Sequence, residues 1–338
     1  MLIGSHFISP VIGGTLAHFL GFRSIFWALF IFAASIMVFI ILLLPETLRS
    51  IAGNGTVKLG LVHRPFWSIF KSRDTPFNPT GDSQSRRPSL AALMKPFNCL
   101  RQKSIVASII FGSVVYAVWT AVISTTTLLF QSRFHLSTLL VGIALLPSGA
   151  GSVLSFYLTR FIMDLDYRIV ELRYRNQHNI DQNTTLDPKS LPNFPIYRAR
   201  LRSLWWIALI FIATTAGYGF SLFSPSIAVP LILQFFIAFS ATAVLFLNGV
   251  LVTDTYAGCS VSAIAVMNLI RFSCGALAVG TVQLLFDRLG FGFAFLTLAM
   301  IVLPVMPILL VQWGFGAERK SKDISWWRWS SKFKIFAS

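Results

Sequence analysis

The sequence predicts an all-α membrane protein, a bundle of eight transmembrane helices. Of the 338 residues, 55% are apolar and only 12% charged, with a mean hydropathy of +0.71. That is more apolar than a water-soluble domain needs to fill its core. The apolar residues gather into eight runs, each close to the 20 or so residues that cross a bilayer at 1.5 Å rise. The charges gather between those runs.

The runs are 2–20, 24–44, 104–130, 137–162, 203–223, 227–252, 260–286 and 290–314. The first follows no basic segment and is succeeded at once by another run, so it is read as a span rather than a cleavable signal. Short turns join the runs in pairs at Gly21-Phe22-Arg23, Gln131 to Leu136, Ser224-Pro225-Ser226 and Asp287-Arg288-Leu289. Between the second and third runs lies Pro45 to Lys103, 59 residues with 10 Lys or Arg against 3 acidic residues. Its prolines, its glycines and its lack of sustained apolar periodicity predict a largely irregular linker with room for one surface helix. The expected divisions are 1–44, two spans; 45–103, the linker; 104–316, a six-span bundle with a loop at 163–202; and 317–338, a basic, tryptophan-rich tail.

Lys and Arg set the orientation. The linker holds 10, Arg160 to Arg202 holds 8 and the tail after Gly314 holds 6, whereas the short turns hold only Arg23, Arg133 and Arg288. Positive charge is retained on the cytoplasmic side, so both termini and both long loops are expected there. Trp326-Trp327-Arg328-Trp329 in the tail suits the headgroup layer. The net charge of +16 therefore reads as topology, and no nucleic-acid partner is expected.

Three cysteines, Cys99, Cys259 and Cys274, have no spacing that suggests a disulfide framework or a metal site. No nucleophile, paired-carboxylate or phosphate-loop constellation stands in an ordered context, so no catalytic residue, no cofactor and no enzyme activity is expected. Arg271 is the ionisable residue deep within a span. A cation there costs about 2.5–3.5 kcal/mol on insertion scales. Two readings stand: a charge facing a central cavity together with Asn268, or an arginine satisfied by helix carbonyls or by Asp254. Tyr116, Trp119, Thr120 and Ser124, with Gly112 and Thr127, recur at three- and four-residue steps in the third run and suit a cavity for amphipathic solutes. Packing through small and hydroxyl residues is the alternative. Gln234 and His6 are further cavity candidates.

Ser9-Pro10-Val11-Ile12-Gly13-Gly14 resembles the fifth-span signature of drug:proton antiporters of the major facilitator superfamily. Ser5 and Ser9 stand where that signature has glycines. Leu44-Pro45-Glu46-Thr47-Leu48-Arg49 resembles the end of the sixth span in fungal members. Gly142 to Ser152 with Asp164 to Arg168, Val252 to Tyr256, and Met267 to Arg271 are similar to later blocks of the fungal quinidine-resistance and weak-acid exporter branch. Gly14-Thr15-Leu16 with Leu20-Gly21-Phe22 is echoed by Gly280-Thr281-Val282 with Leu289-Gly290-Phe291, as parallel repeats would produce.

The resemblance implies twelve spans, with the eight runs corresponding to spans five to twelve and the first four missing. It implies a multi-pass plasma-membrane exporter of drugs or small organic ions by proton antiport, with Ser9, Pro10, Gly13 and Gly14 in packing or gating. Its partners are lipid, solute and protons, and a helix-completing partner chain if the missing spans are truly absent. A transport-inactive remnant and a non-transporting scaffold or sensor are the alternatives.

Overall fold

A computed structural model describes residues 3–43, 103–178, 202–255 and 260–307, all in helices and short joints. The linker, most of the second basic loop, Cys99, Cys259 and the tryptophan-rich tail lie outside the described residues. The chain divides into two compact units, Met1–Thr15 with Lys95–Ser338, and Leu16–Met94.

The elements are α1 Ile3–Leu20, α2 Phe22–Leu43, α3 Lys103–Phe134, α4 Thr138–Ala144, α5 Leu146–His178, α6 Leu204–Ser221, α7 Ala228–Thr255 and α8 Ser260–Val302, with a 3-10 turn at Leu303–Val305. Among the described residues six helical stretches are long and apolar enough to cross a membrane; Ile8–Leu20 is apolar but shorter. The difference from the eight expected runs has two sources. One is that short first segment, and the other is α8.

At 43 residues α8 would be about 64 Å long if straight, twice the hydrocarbon core. It is not straight. Gly290 has φ 73° and ψ 168°, outside helical space, so α8 is two limbs meeting there. The rings of Phe286 and Phe295 lie 5.4 Å apart between centroids. Nine residues of straight helix would separate them by about 13.5 Å on opposite sides, so the chain turns back at this glycine. Gly21 also has positive φ, 79°, and joins α1 to α2. Of the four echoed glycines, the two at the turns, Gly21 and Gly290, are thus the positive-φ glycines among the described residues.

In the second unit α2 is apolar along nearly its whole length, and its large side chains from Phe26 to Leu42 are exposed, as lipid contact requires. At its start the Ser24 hydroxyl donates to the carbonyls of Gly21 at 2.6 Å and Leu16 at 3.2 Å, which satisfies acceptors freed at the turn.

In the first unit α3 packs on α7 and on α8, α5 packs on α7, and α6 lies against α7 and α8. Lipid is as apolar as leucine, so close packing and buried hydrogen bonds hold such helices together rather than release of water. Phe111, Phe130, Phe211, Tyr218 and Phe295 are completely buried. The hydroxyls of Tyr218 and Thr126 lie 3.0 Å apart, tying α6 to α3. Ser155 donates to the Phe239 carbonyl at 2.6 Å, and Thr242 donates to Ser152 at 3.2 Å, fastening α7 to α5.

Helix α4 ends at Ala144, and Leu145 separates it from α5, two residues before Pro147, whose ring cannot continue the hydrogen-bond ladder. Helix α5 continues through His178, so the start of the expected loop 163–202 is helical. Its outer turns are held by charge: Arg175 pairs with Glu171 one turn earlier at 2.7 Å. Buried Asp166 accepts a hydrogen bond from Ser203 and lies 3.7 Å from Arg202 Nε. Ser203 occupies the N-cap of α6 but makes no capping bond there; its hydroxyl instead closes the base of the second basic loop.

Candidate functional site

The first limb of α8 runs along α3, and two glycines shape the seam between them. Arg271 and Gly275 stand one turn apart on α8. Gly112, Tyr116 and Thr120 stand at four-residue steps on α3 and therefore share one face. A Cβ at Gly275 would come 2.8 Å from Tyr116 Cε1 and 3.2 Å from Thr120 Oγ1. The space that a side chain would fill at Gly112 is taken by the Asn248 carboxamide from α7, with Arg271 Nη2 at 3.5 Å.

Asn248 is 3% exposed, and its Nδ2 donates to the Ser108 carbonyl at 2.7 Å. Three helices thus bring Gly112, Asn248 and Arg271 to one point. Arg271 is partly buried, and its Nε and Nη2 are wholly buried with no hydrogen bond to any described residue. That edge is therefore met neither by helix carbonyls nor by Asp254. Nε–H and Nη2–H point the same way along one side of the guanidinium plane, the fork that matches both oxygens of a carboxylate.

Beside the arginine lies an aromatic run. Tyr116 meets Phe272 edge-on at 5.5 Å and Trp119 at 6.1 Å. Trp119 is buried in the core, whereas Tyr116 and Thr120 face Gly275. Thr120 donates to the carbonyls of Tyr116 and Ala117 at 2.8 and 3.0 Å. Ser124 is exposed and donates to Ala121 at 3.0 Å, and Thr127 is exposed. The hydroxyl stripe of α3 is therefore only partly in the seam.

Asn268 is partly buried, one turn before Arg271 on α8. Gln234 is 1% exposed, and both its carboxamide atoms lack a hydrogen bond among the described residues. It stands fourteen residues, about 21 Å of helix, from Asn248 along α7, so the structure does not bring it to the seam. His6 lies in α1.

Of the glycine-proline segment in α1, two residues make a close approach. A Cβ at Gly142 on α4 would lie 2.7 Å from the Pro10 carbonyl oxygen, and one at Gly14 would lie 3.1 Å from Gly142 Cα. Ser9 is exposed, and Gly13 has open space where a Cβ would point. Cys274 is a free, half-buried thiol. Among the described residues no group of three or more His, Cys, Asp or Glu is placed to hold a metal ion.

Asn248 went unnoticed in the sequence. An asparagine in an apolar run breaks no period; its signal was the rarity of a carboxamide in mid-span.

The description of the Major Facilitator Superfamily matches residues 1–281. The chain belongs to that superfamily. Citrate exporter 1 of Aspergillus niger is 42% identical over 312 residues, covering 91% of this chain and 59% of the exporter. The MFS-type transporter phiD of Fungal sp. (strain ATCC 74256) is 26% identical over 327 residues, 93% of this chain and 49% of phiD. The MFS-type transporter clz19 of Cochliobolus lunatus is 27% identical over 304 residues, 90% of this chain and 56% of clz19. The chain thus spans about half to three-fifths of the length of these relatives. No solved structure matches it. As a superfamily member it is a multi-pass helical membrane protein of a transporter family.

Proposed function

We propose that this chain serves the export of small organic anions, with the Arg271 edge as the carboxylate-binding group. The observation that carries the proposal is the buried, unpartnered Nε and Nη2 pair in a seam between spans. A cation held in a span at this cost is by default a functional group. Tyr116 and Phe272 offer apolar walls to the carbon skeleton of the anion. The relative named a citrate exporter supports organic acids as cargo.

Proton antiport is the coupling that the resemblance to drug:proton antiporters suggests. In this reading both termini and both basic loops face the cytoplasm of a plasma-membrane protein, and α8 supplies two spans, for eight in all. Amphipathic drugs are the second reading, favoured by the aromatic run from Trp119 to Phe272.

Citrate titrated calorimetrically into the purified chain in lipid nanodiscs tests the proposal. Binding is expected for the native protein, with Arg271→Ala weakening it about tenfold or more and Arg271→Lys retaining part, because lysine lacks the planar fork. Equal citrate affinity in the alanine variant would remove Arg271 from the site. Binding of a lipophilic cation but not of citrate would favour the drug reading.

A further inference from the structure

We propose that Gly112 is a positioning residue for the Arg271 edge, present to seat polar side chains rather than to let two helices touch. The proposal rests on the reading of Arg271 as the anion-binding group, and it is carried by what Gly112 meets compared with the other glycines of the first unit. A Cβ at Gly142 would strike the Pro10 carbonyl oxygen at 2.7 Å; one at Gly151 would strike the Phe235 carbonyl oxygen; one at Gly219 would come 2.9 Å from the Gly292 carbonyl oxygen. Those glycines permit backbones to approach, as small residues commonly do between membrane helices.

Gly217, Gly275 and Gly292 also meet side chains, in each case from one neighbouring segment and with carbon atoms nearest; among the described glycines of this unit, Gly112 is the one met by an amide and a guanidinium from two helices. The nearest atoms to its absent side chain are the Asn248 carboxamide nitrogen and carbon and Arg271 Nη2, all ends of side chains from two other helices. The Asn248 amide is itself held by the Ser108 carbonyl, one turn before Gly112 on α3. That bond fixes one wall of the notch, and the guanidinium occupies the space beside it. The Nη2 that abuts the notch also belongs to the unpartnered edge, so a change of volume at residue 112 bears directly on the nitrogens that bind the anion.

A methyl group at this position should displace the Asn248 amide and turn the guanidinium. Because the colliding atoms are side-chain ends rather than backbone, the helices need not separate. The variant should therefore fold while its anion site is misaligned. Substituting Asn248 by a shorter side chain should then make room for the added methyl.

Citrate affinity and melting temperature are measured together on the full chain in nanodiscs for five proteins: native, Arg271→Ala, Gly112→Ala, Gly112→Ala with Asn248→Ser, and Gly249→Ala. Gly249 is the control, since its Cβ would enter open space. The expected result is citrate affinity lowered about tenfold in Gly112→Ala, as loss of a hydrogen bond to a charged group produces, with a melting temperature close to native. Affinity should return to within about threefold of native in the double variant, a recovery of most of that tenfold, and stay unchanged in Gly249→Ala. Native affinity in Gly112→Ala, or no recovery in the double variant, overturns the proposal and leaves the Arg271 site standing if Arg271→Ala has lost binding. Native affinity in Arg271→Ala overturns the anion site itself.

Discussion

Asn248 and Gln234 stand on the same apolar helix and are both buried, yet Asn248 has a hydrogen-bond partner across the helix seam and both polar atoms of Gln234 lack one among the described residues. A buried polar group without a partner costs free energy, and replacing it by an apolar group of similar shape is neutral or stabilising. Gln234→Leu is therefore expected to leave the melting temperature unchanged or raise it. Asn248→Leu gives up a hydrogen bond between membrane helices, which is worth about 0.6 kcal/mol on average and at most about 1.7, and should lower it. Thermal melts of the three purified proteins in one detergent check the order, and a larger loss for Gln234→Leu would contradict it. Arg271 was legible in the sequence because a cation within a span has few innocent explanations. What the sequence could not supply was its neighbours, since Gly112 and Asn248 lie on separate spans and meet Arg271 only through the packing of three helices.

At the scale of elements, α8 shows how far apolar periodicity carries. The runs 260–286 and 290–314 placed a turn at Asp287 to Leu289, and the structure places the reversal at the next residue, Gly290. The two turn glycines were legible through the echo between the first and last hairpins. The length of α5 was not legible. Hydropathy marks where a helix leaves the bilayer but not where it ends, and charged residues such as Glu171 and Arg175 continue the helix by pairing along it. The backbone at Gly290 lies in a region that only glycine occupies readily, although a Cβ there would meet nothing within 4 Å. Gly290→Ala should therefore destabilise through backbone strain alone, by about 1–3 kcal/mol. Gly249→Ala, within helix α7 and equally uncrowded, should be neutral or stabilising by up to about 1 kcal/mol. Chemical denaturation of both variants measures the difference, and equal stabilities would show that strain at Gly290 is not what holds the turn.

For the first unit as a whole, a guanidinium gathers the short connections at one end. Arg133, at the end of α3, lies 5.5 Å from the ring centroid of Phe223, just after α6, and 5.7 Å from that of Phe291, just after the reversal in α8. The turns after α3, after α6 and within α8 therefore share one end of the bundle. At the start of α3, Ile105 and Ile109 pack with Val252 near the end of α7 and with Ala263 and Met267 near the start of α8. The ends that lead to the basic linker and to the joint between α7 and α8 are thus grouped apart from the Arg133 cluster. The short turns poor in Lys and Arg thus lie at one end of this unit, the end that the positive-inside rule predicts to face outside. The expected topology can be tested with single cysteines in a background with the native three removed. A cysteine at Ser226, in the exposed turn between α6 and α7, should react with a membrane-impermeant maleimide on intact cells. Cysteines at Ser83 and Asn183 should react only after permeabilisation. Labelling of either basic loop from outside would invert the orientation. Arg133→Ala in the same background should leave that pattern intact while lowering the melting temperature, since two exposed cation–π contacts are worth about 0.5–1 kcal/mol each. Arg133→Lys should recover part of the loss, because an ammonium is also attracted to an aromatic face but does not stack as a plane between two.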